Sequence, residues 1–228
     1  MAEWSTDRCM IEIFFDFISP YAYLGCSRIR ALGERLGQDI EPRPLLFAGV
    51  LNALGTKGPA EVPARRAYVV KNVIRMAHRA GVKIALPPAH PFNPLPALRV
   101  AALDVDRALR WRIIDALFEA TWAGGGGIDG PERVAAVLRQ SGIEEAPLMA
   151  LASAPEAKER LRRNTEEALA RGAFGVPTMF VNGEMFFGFD SFPDIEAYVR
   201  GEDPVTQQLG IVEQWAKLPV AAARPKAG

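Results

Sequence analysis

The strongest constraint on this chain lies near its start, where a short apolar run stops abruptly against a serine and a proline. Cys9 to Phe17 (CMIEIFFDF) is short and rich in Ile and Phe, the pattern of a buried strand. Ser19-Pro20 follows, and then a helical stretch from Tyr21 to about Leu36 that Gly37 ends. A serine before a proline at the first helical position starts a helix well, and a glycine stops one well. A second strand is predicted over Ile40 to Phe47, where Pro42 and Pro44 restrict it to a sheet edge or an irregular segment. Strand, helix, strand in that order predicts a βαβ unit.

The middle of the chain changes character. Pro59 to Pro63 leads into a helix ending at Gly81, with Ala67, Val70, Ile74 and Ala77 at helical spacing as its predicted apolar face. A proline-rich loop, Pro87 to Pro96, precedes a helical stretch over Leu98 to Trp122, which the glycines at 124–127 break. Pro131 opens a short helix, and Ser153 with Glu156 fits a capping box for another that ends at Gly172. The pattern then reverts. Pro177 to Val181 and Met185 to Phe187 read as strands joined by Asn182-Gly183, a strong type I′ hairpin signal, and Ser191 to Val199 as a closing helix. The tail beyond Lys217 lacks periodicity and is expected to be loose. The order β-α-β, helices, then α-β-β-α is that of an α/β thioredoxin-like fold with a helical insertion. The thioredoxin-like part is expected at 1–57 and 165–216, the insertion at 58–164 and the tail at 217–228.

Charge narrows the partners. Lys plus Arg is 27 and Asp plus Glu is 27, which leaves no basic excess for displacing counterions from nucleic acid. Neither a secretory leader nor an apolar run near the ~20 residues of a membrane span is visible, so a cytoplasmic protein with no membrane partner is expected. Cys9 and Cys26 form no CxxC and no disulfide framework, and both are expected to pack as small hydrophobes. His78 and His90 are separated and lack a Cys or carboxylate cluster, so no metal site is expected. Lys158 to Arg163, interleaved with Glu156, Glu159 and Glu166, reads as a solvated helix face.

Chemistry concentrates at the two ends of the predicted thioredoxin-like part. The first N–H groups of a helix lack intrahelical partners and its dipole favours an anion, which is how thiolates are activated at such tips. Here the tip reads Ser19-Pro20-Tyr21-Ala22, where a dithiol oxidoreductase would carry Cys-x-x-Cys. Any sulfur chemistry must therefore use a sulfur that arrives with a cofactor, to which the Ser19 hydroxyl can donate. The plainer reading, compatible with this one, makes Ser19 an N-cap worth ~1 kcal/mol. Gly175-Val176-Pro177-Thr178 precedes a strand; in a thioredoxin fold Pro177 would be cis and the Val176 main chain available to a peptide-like ligand, although Gly-x-Pro loops are common. Gly188-Phe189-Asp190-Ser191, at the start of the last helix, could hold charged ends of a ligand or simply cap that helix.

Two longer stretches make the pattern specific. Phe15-Asp16-Phe17-Ile18-Ser19-Pro20-Tyr21-Ala22-Tyr23-Leu24 resembles the opening motif of the 2-hydroxychromene-2-carboxylate isomerases and kappa-class glutathione transferases. Gly172-Ala173-Phe174-Gly175-Val176-Pro177-Thr178-Met179-Phe180, with Gly183 to Gly188, resembles their closing motif, and the likeness spans the chain to about Arg200, including Phe118 to Gly127 with Trp122. The resemblance implies a DsbA-like thioredoxin fold, a homodimer, glutathione as cofactor and a small aromatic-derived substrate. It makes Ser19 the catalytic residue facing the glutathione sulfur. Val176, Pro177, Phe187, Gly188, Phe189 and Asp190 become the groups that hold the tripeptide. Phe187 and Phe189 depart from the family pattern of a Trp before the glycine and a small polar residue before the aspartate, so position 189 offers only its amide. Asn52, Lys57, Arg65 and His90 are the candidates for contacts with the second substrate. Isomerase is the activity implied first; a kappa-class transferase, and a glutathione- or peptide-binding module without dithiol activity, are the alternatives.

Overall fold

The computed structural model describes residues 10–219. Its frame is a four-stranded sheet of β1 (Met10–Phe15), β2 (Asp39–Pro44), β3 (Thr178–Val181) and β4 (Glu184–Phe187), in the order β2-β1-β3-β4. β1 runs parallel to β2, with Phe15 opposite Pro44, and antiparallel to β3, with Phe14 opposite Thr178. β1 is apolar apart from Glu12, which pairs with Arg43 and Arg171, because the alternating side chains of the strand face two separate cores. Ile11, Ile13 and Phe15 enter the main core, while Phe14 enters a smaller one with Leu45, Val50, Val176 and Phe180. β2 is an edge strand, which is where Pro42 and Pro44 cost no ladder bond to a further neighbour.

Ten α-helices lie among the described residues. α1 (Pro20–Leu36) crosses from β1 to β2 and α2 (Phe47–Leu54) follows β2. The helical insertion is built from α3 (Pro63–Ala80), α4 (Leu95–Ala101), α5 (Arg107–Trp122), α6 (Pro131–Gln140) and α7 (Glu145–Ser153). α8 (Pro155–Ala170) returns to the sheet, and α9 (Phe192–Val199) and α10 (Leu209–Ala216) complete the chain. The Asn182-Gly183 turn has positive φ at both residues (51° and 87°), as a type I′ hairpin demands.

Several local expectations are corrected. β2 ends at Pro44, and Phe47 already opens α2. The stretch Leu98 to Trp122 is two helices, because the Asp106 carboxylate accepts the Leu109 N–H and starts a new one. Ser153 caps nothing: it ends α7 and its hydroxyl donates to the Met149 carbonyl, while Ala154 stands at the N-cap of α8. The buried face of α3 is Val73, Met76 and Ala77, whereas Ala67 and Ile74 are exposed. Helix α10 occupies a stretch to which the sequence assigned no element. Cys9 and residues 220–228 of the predicted tail lie outside the described residues.

Candidate active site

Ser19 joins β1 to α1. Its backbone is extended (φ −96°, ψ 117°) and its Oγ accepts the Ala22 N–H at 3.2 Å, so it does cap the helix. The same hydroxyl donates to the Val176 carbonyl at 3.3 Å, 157 residues away in sequence. Cap and cross-chain contact are thus one group. Pro20 has no N–H, and the Tyr21 N–H has no acceptor among the described residues, which leaves the tip of α1 electropositive and open.

Val176 faces this tip from the segment before β3, across a cis peptide to Pro177. Its carbonyl is engaged by Ser19, and its N–H has no acceptor among the described residues. The Pro177 carbonyl accepts the Gly188 N–H at 2.9 Å, which ties this segment to the turn after β4. At Gly175 the approach is close: a Cβ there would lie 2.6 Å from Cε2 of Phe187, and the exposed ring would have to shift. The Phe187 ring instead rests against Phe174, with centroids 4.6 Å apart. Gly188 has φ 89°, and a Cβ there would sit 2.5 Å from Oδ1 of Asp190. Asp190 is exposed and makes no cap to α9; the Ser191 hydroxyl donates to the Gly188 carbonyl at 2.8 Å and fixes the turn. Phe189 turns its ring onto Phe192 and the main core, so its amide is what the turn presents. Burial raises the Tyr21 hydroxyl above its ordinary pKa, opposed by a hydrogen bond from Asn72 at 3.1 Å and reinforced by nearby Tyr68 and Asp190. Asp190 therefore lies within electrostatic reach of the first turn of α1.

The four second-substrate candidates divide. His90 reaches the site loop, its Nε2 standing 3.0 Å from the Ile18 carbonyl. Asn52 in α2, Lys57 in the following loop and Arg65 in the first turn of α3 are all exposed. Asn52 uses its main-chain carbonyl to accept the Gly55 N–H at the end of α2, and none of the three side chains has a hydrogen bond or ion pair among the described residues.

Two groups escaped the sequence reading as site residues. Asp16 is wholly buried; Oδ1 accepts the Ile18 N–H at 3.0 Å and Oδ2 the Phe47 N–H at 2.9 Å. Burial pushes its pKa up to about 7, against the lowering effect of those two donors. Its only signal was a carboxylate enclosed in Phe-Asp-Phe. Trp122, also buried, donates from Nε1 to the Phe17 carbonyl at 2.8 Å. Cys26 is buried and its thiol is pushed well above the ordinary value by desolvation, the opposite of an activated nucleophile. A cleft of about 690 Å³ between α1, α5 and α6, lined by Tyr23, Arg28, Lys83 and Glu119, includes neither Ser19 nor Val176 nor the Gly188–Asp190 turn.

A mixed sheet with a helix-tip serine, opposed by a cis-proline segment, defines a thioredoxin-fold protein with no sulfur at either dithiol position. The chain belongs to the DSBA-like thioredoxin domain family, whose profile matches residues 10–200. It is similar to the glutathione S-transferase kappa 2 of Caenorhabditis elegans, with 28% identity over 230 residues covering 97% of this chain and 99% of the relative. It is equally similar to a 2-hydroxychromene-2-carboxylate isomerase of Sphingobium xenophagum, with 28% identity over 193 residues covering 83% of this chain and 97% of the relative. Among solved structures, a 2-hydroxychromene-2-carboxylate isomerase superposes with a TM-score of 0.75 at 25% identity, covering 88% of this chain and 98% of that one.

Proposed function

We propose that this chain is a glutathione-dependent isomerase of an aromatic-degradation intermediate of the 2-hydroxychromene-2-carboxylate type. One observation carries the reading: a hydroxyl, Ser19, stands at the helix tip where the fold otherwise places sulfur, facing the main chain of Val176. Glutathione supplies the thiol. Lowering a free thiol's pKa from ~8.5 to ~7 takes roughly 2 kcal/mol, within reach of a helix dipole and one charge-assisted hydrogen bond. The Ser19 proton leaves its long contact with Val176 and is donated to the thiolate. The open Val176 N–H pairs with the cysteinyl backbone, and the Gly188–Asp190 turn takes the γ-glutamyl end.

The thiolate adds to an electrophilic carbon of the substrate, forming a C–S bond and moving an electron pair onto the conjugated oxygen. Rotation follows, the pair returns, the C–S bond breaks, and glutathione leaves unchanged. Asn52, Lys57 and Arg65 stand as the polar groups of the second-substrate side. On this reading segments 1–57 and 165–216 carry the thiolate site, 58–164 is the insertion, and the protein is a cytoplasmic homodimer.

A kappa-type transferase is the second reading, favoured by the nematode relative that matches 97% of this chain. Glutathione accounting separates the two. An isomerase turns over many equivalents of substrate with total free glutathione constant, whereas a transferase consumes one glutathione per turnover. Calorimetry that detects no glutathione uptake by the purified protein would refute both.

A further inference from the structure

We propose that Asp16, His90 and Trp122 are positioning residues which clamp the two peptide planes leading into Ser19, so that the helical insertion aims the site hydroxyl. The peptide between Phe17 and Ile18 is held at both ends: its carbonyl accepts from Trp122 Nε1 at 2.8 Å, and its N–H donates to Asp16 Oδ1 at 3.0 Å. The peptide between Ile18 and Ser19 is held in the same way. Its carbonyl meets His90 Nε2 at 3.0 Å, and its N–H donates to the Asp16 carbonyl at 3.1 Å. A carbonyl only accepts, so His90 carries its proton on Nε2.

With both planes fixed, the N–Cα bond of Ser19 is set, and the Tyr23 N–H, which donates to the Ser19 carbonyl at 3.1 Å, holds the peptide plane on its far side, so the Cα–Cβ bond is aimed. The two outer clamps also support one another, since the His90 and Trp122 rings meet edge-on with centroids 5.6 Å apart. Trp122 ends α5 and His90 lies in the loop before α4, so both come from the insertion. Asp16 has a second attachment: its other oxygen holds the N–H of Phe47, the first residue of α2. One carboxylate therefore joins the serine loop to the helix that carries Asn52. Two carbonyl oxygens beside an anion site would repel a thiolate if they were free to turn inward, and the two ring donors hold them where they are.

The test has two arms on the full chain. In the first, amide exchange at Ile18 and Ser19 is measured by NMR in the parent, Trp122→Phe, His90→Leu, His90→Gln and Asp16→Asn. Exchange is expected to accelerate about tenfold or more in Trp122→Phe, His90→Leu and Asp16→Asn. It is expected to return towards the parent rate in His90→Gln, whose amide can still donate to Ile18. Unchanged exchange in His90→Leu overturns the clamp, and that half-buried position decides the matter even should Trp122→Phe fail to fold. The second arm rests on the proposed glutathione chemistry. Turnover at saturating glutathione is expected to fall ~10–100-fold in His90→Leu with glutathione affinity within about twofold, and to recover in His90→Gln. An unchanged kcat overturns the aiming role. Absence of glutathione uptake by the parent removes the functional reading, and the exchange arm then judges the clamp alone.

Discussion

The two sides of the candidate site are built differently. On the Ser19 side, the segment from Asp16 to Ser19, with the Asp16 and Ser19 side chains included, is tied to α2, α5, the loop before α4 and the segment before β3. On the side of α2 and α3, the side chains of Asn52, Lys57 and Arg65 stand exposed with no partner among the described residues. Under the proposed function, the difference is a division of labour. Stabilising a sulfur anion requires donors that are already in place, because reorganising them would cost what the site is meant to supply. Accepting a second substrate tolerates long side chains that settle only on binding.

The largest effect expected from this contrast is on stability. Asp16 has a folded pKa of about 7 against an ordinary 3.8, so between those values the native state holds a proton that the unfolded chain has lost. Its contribution is fully present below about pH 4, declines as pH rises, and is gone above about pH 7, a loss of order 4 kcal/mol at most. Urea unfolding across that range should show the decline, and Asp16→Asn should flatten it. A parent curve with no decline would mean the carboxylate is not as isolated as its burial indicates.

Turnover comes next. Ser19→Ala should lower kcat about 10²-fold while calorimetry finds glutathione affinity within a few-fold, because Val176 and the Gly188–Asp190 turn remain. Loss of only the ~1 kcal/mol of a cap, with kcat intact, would make the thiolate side merely structural. Asp190→Ala should weaken glutathione binding about tenfold and leave kcat at saturating glutathione near the parent value. Smallest of all, Asn52→Ala, Lys57→Ala and Arg65→Ala should each move stability by less than ~0.5 kcal/mol. Each should raise KM for the second substrate without altering glutathione affinity. A large stability loss at any of the three would erase the contrast between the two sides.

Legibility followed the range of the interactions. The strand at β1, the Ser-Pro opening of α1, the Asn182-Gly183 hairpin and the closing helix were readable, since each is specified by neighbours a few residues apart. The break at Asp106 was missed because an apolar, Ala- and Leu-rich stretch hides a cap that works through one side chain. The face of α3 was misassigned because a helix of mixed polarity offers more than one stripe, and only packing against α1 selects Val73, Met76 and Ala77. Asp16 and Trp122 were visible as residues, and His90 as a candidate, but their partners were not.

By itself, then, the sequence determined that a strand would run into a helix tip bearing a hydroxyl and no thiol, and that a proline segment and a glycine turn would follow far downstream. Tertiary structure alone decided that Ser19 meets Val176, that Asp16 joins two elements, and that two rings from the insertion hold the serine loop. Those contacts link residues 31 to 157 positions apart. No local propensity encodes them; they exist only once burial of the two cores has brought the distant segments together.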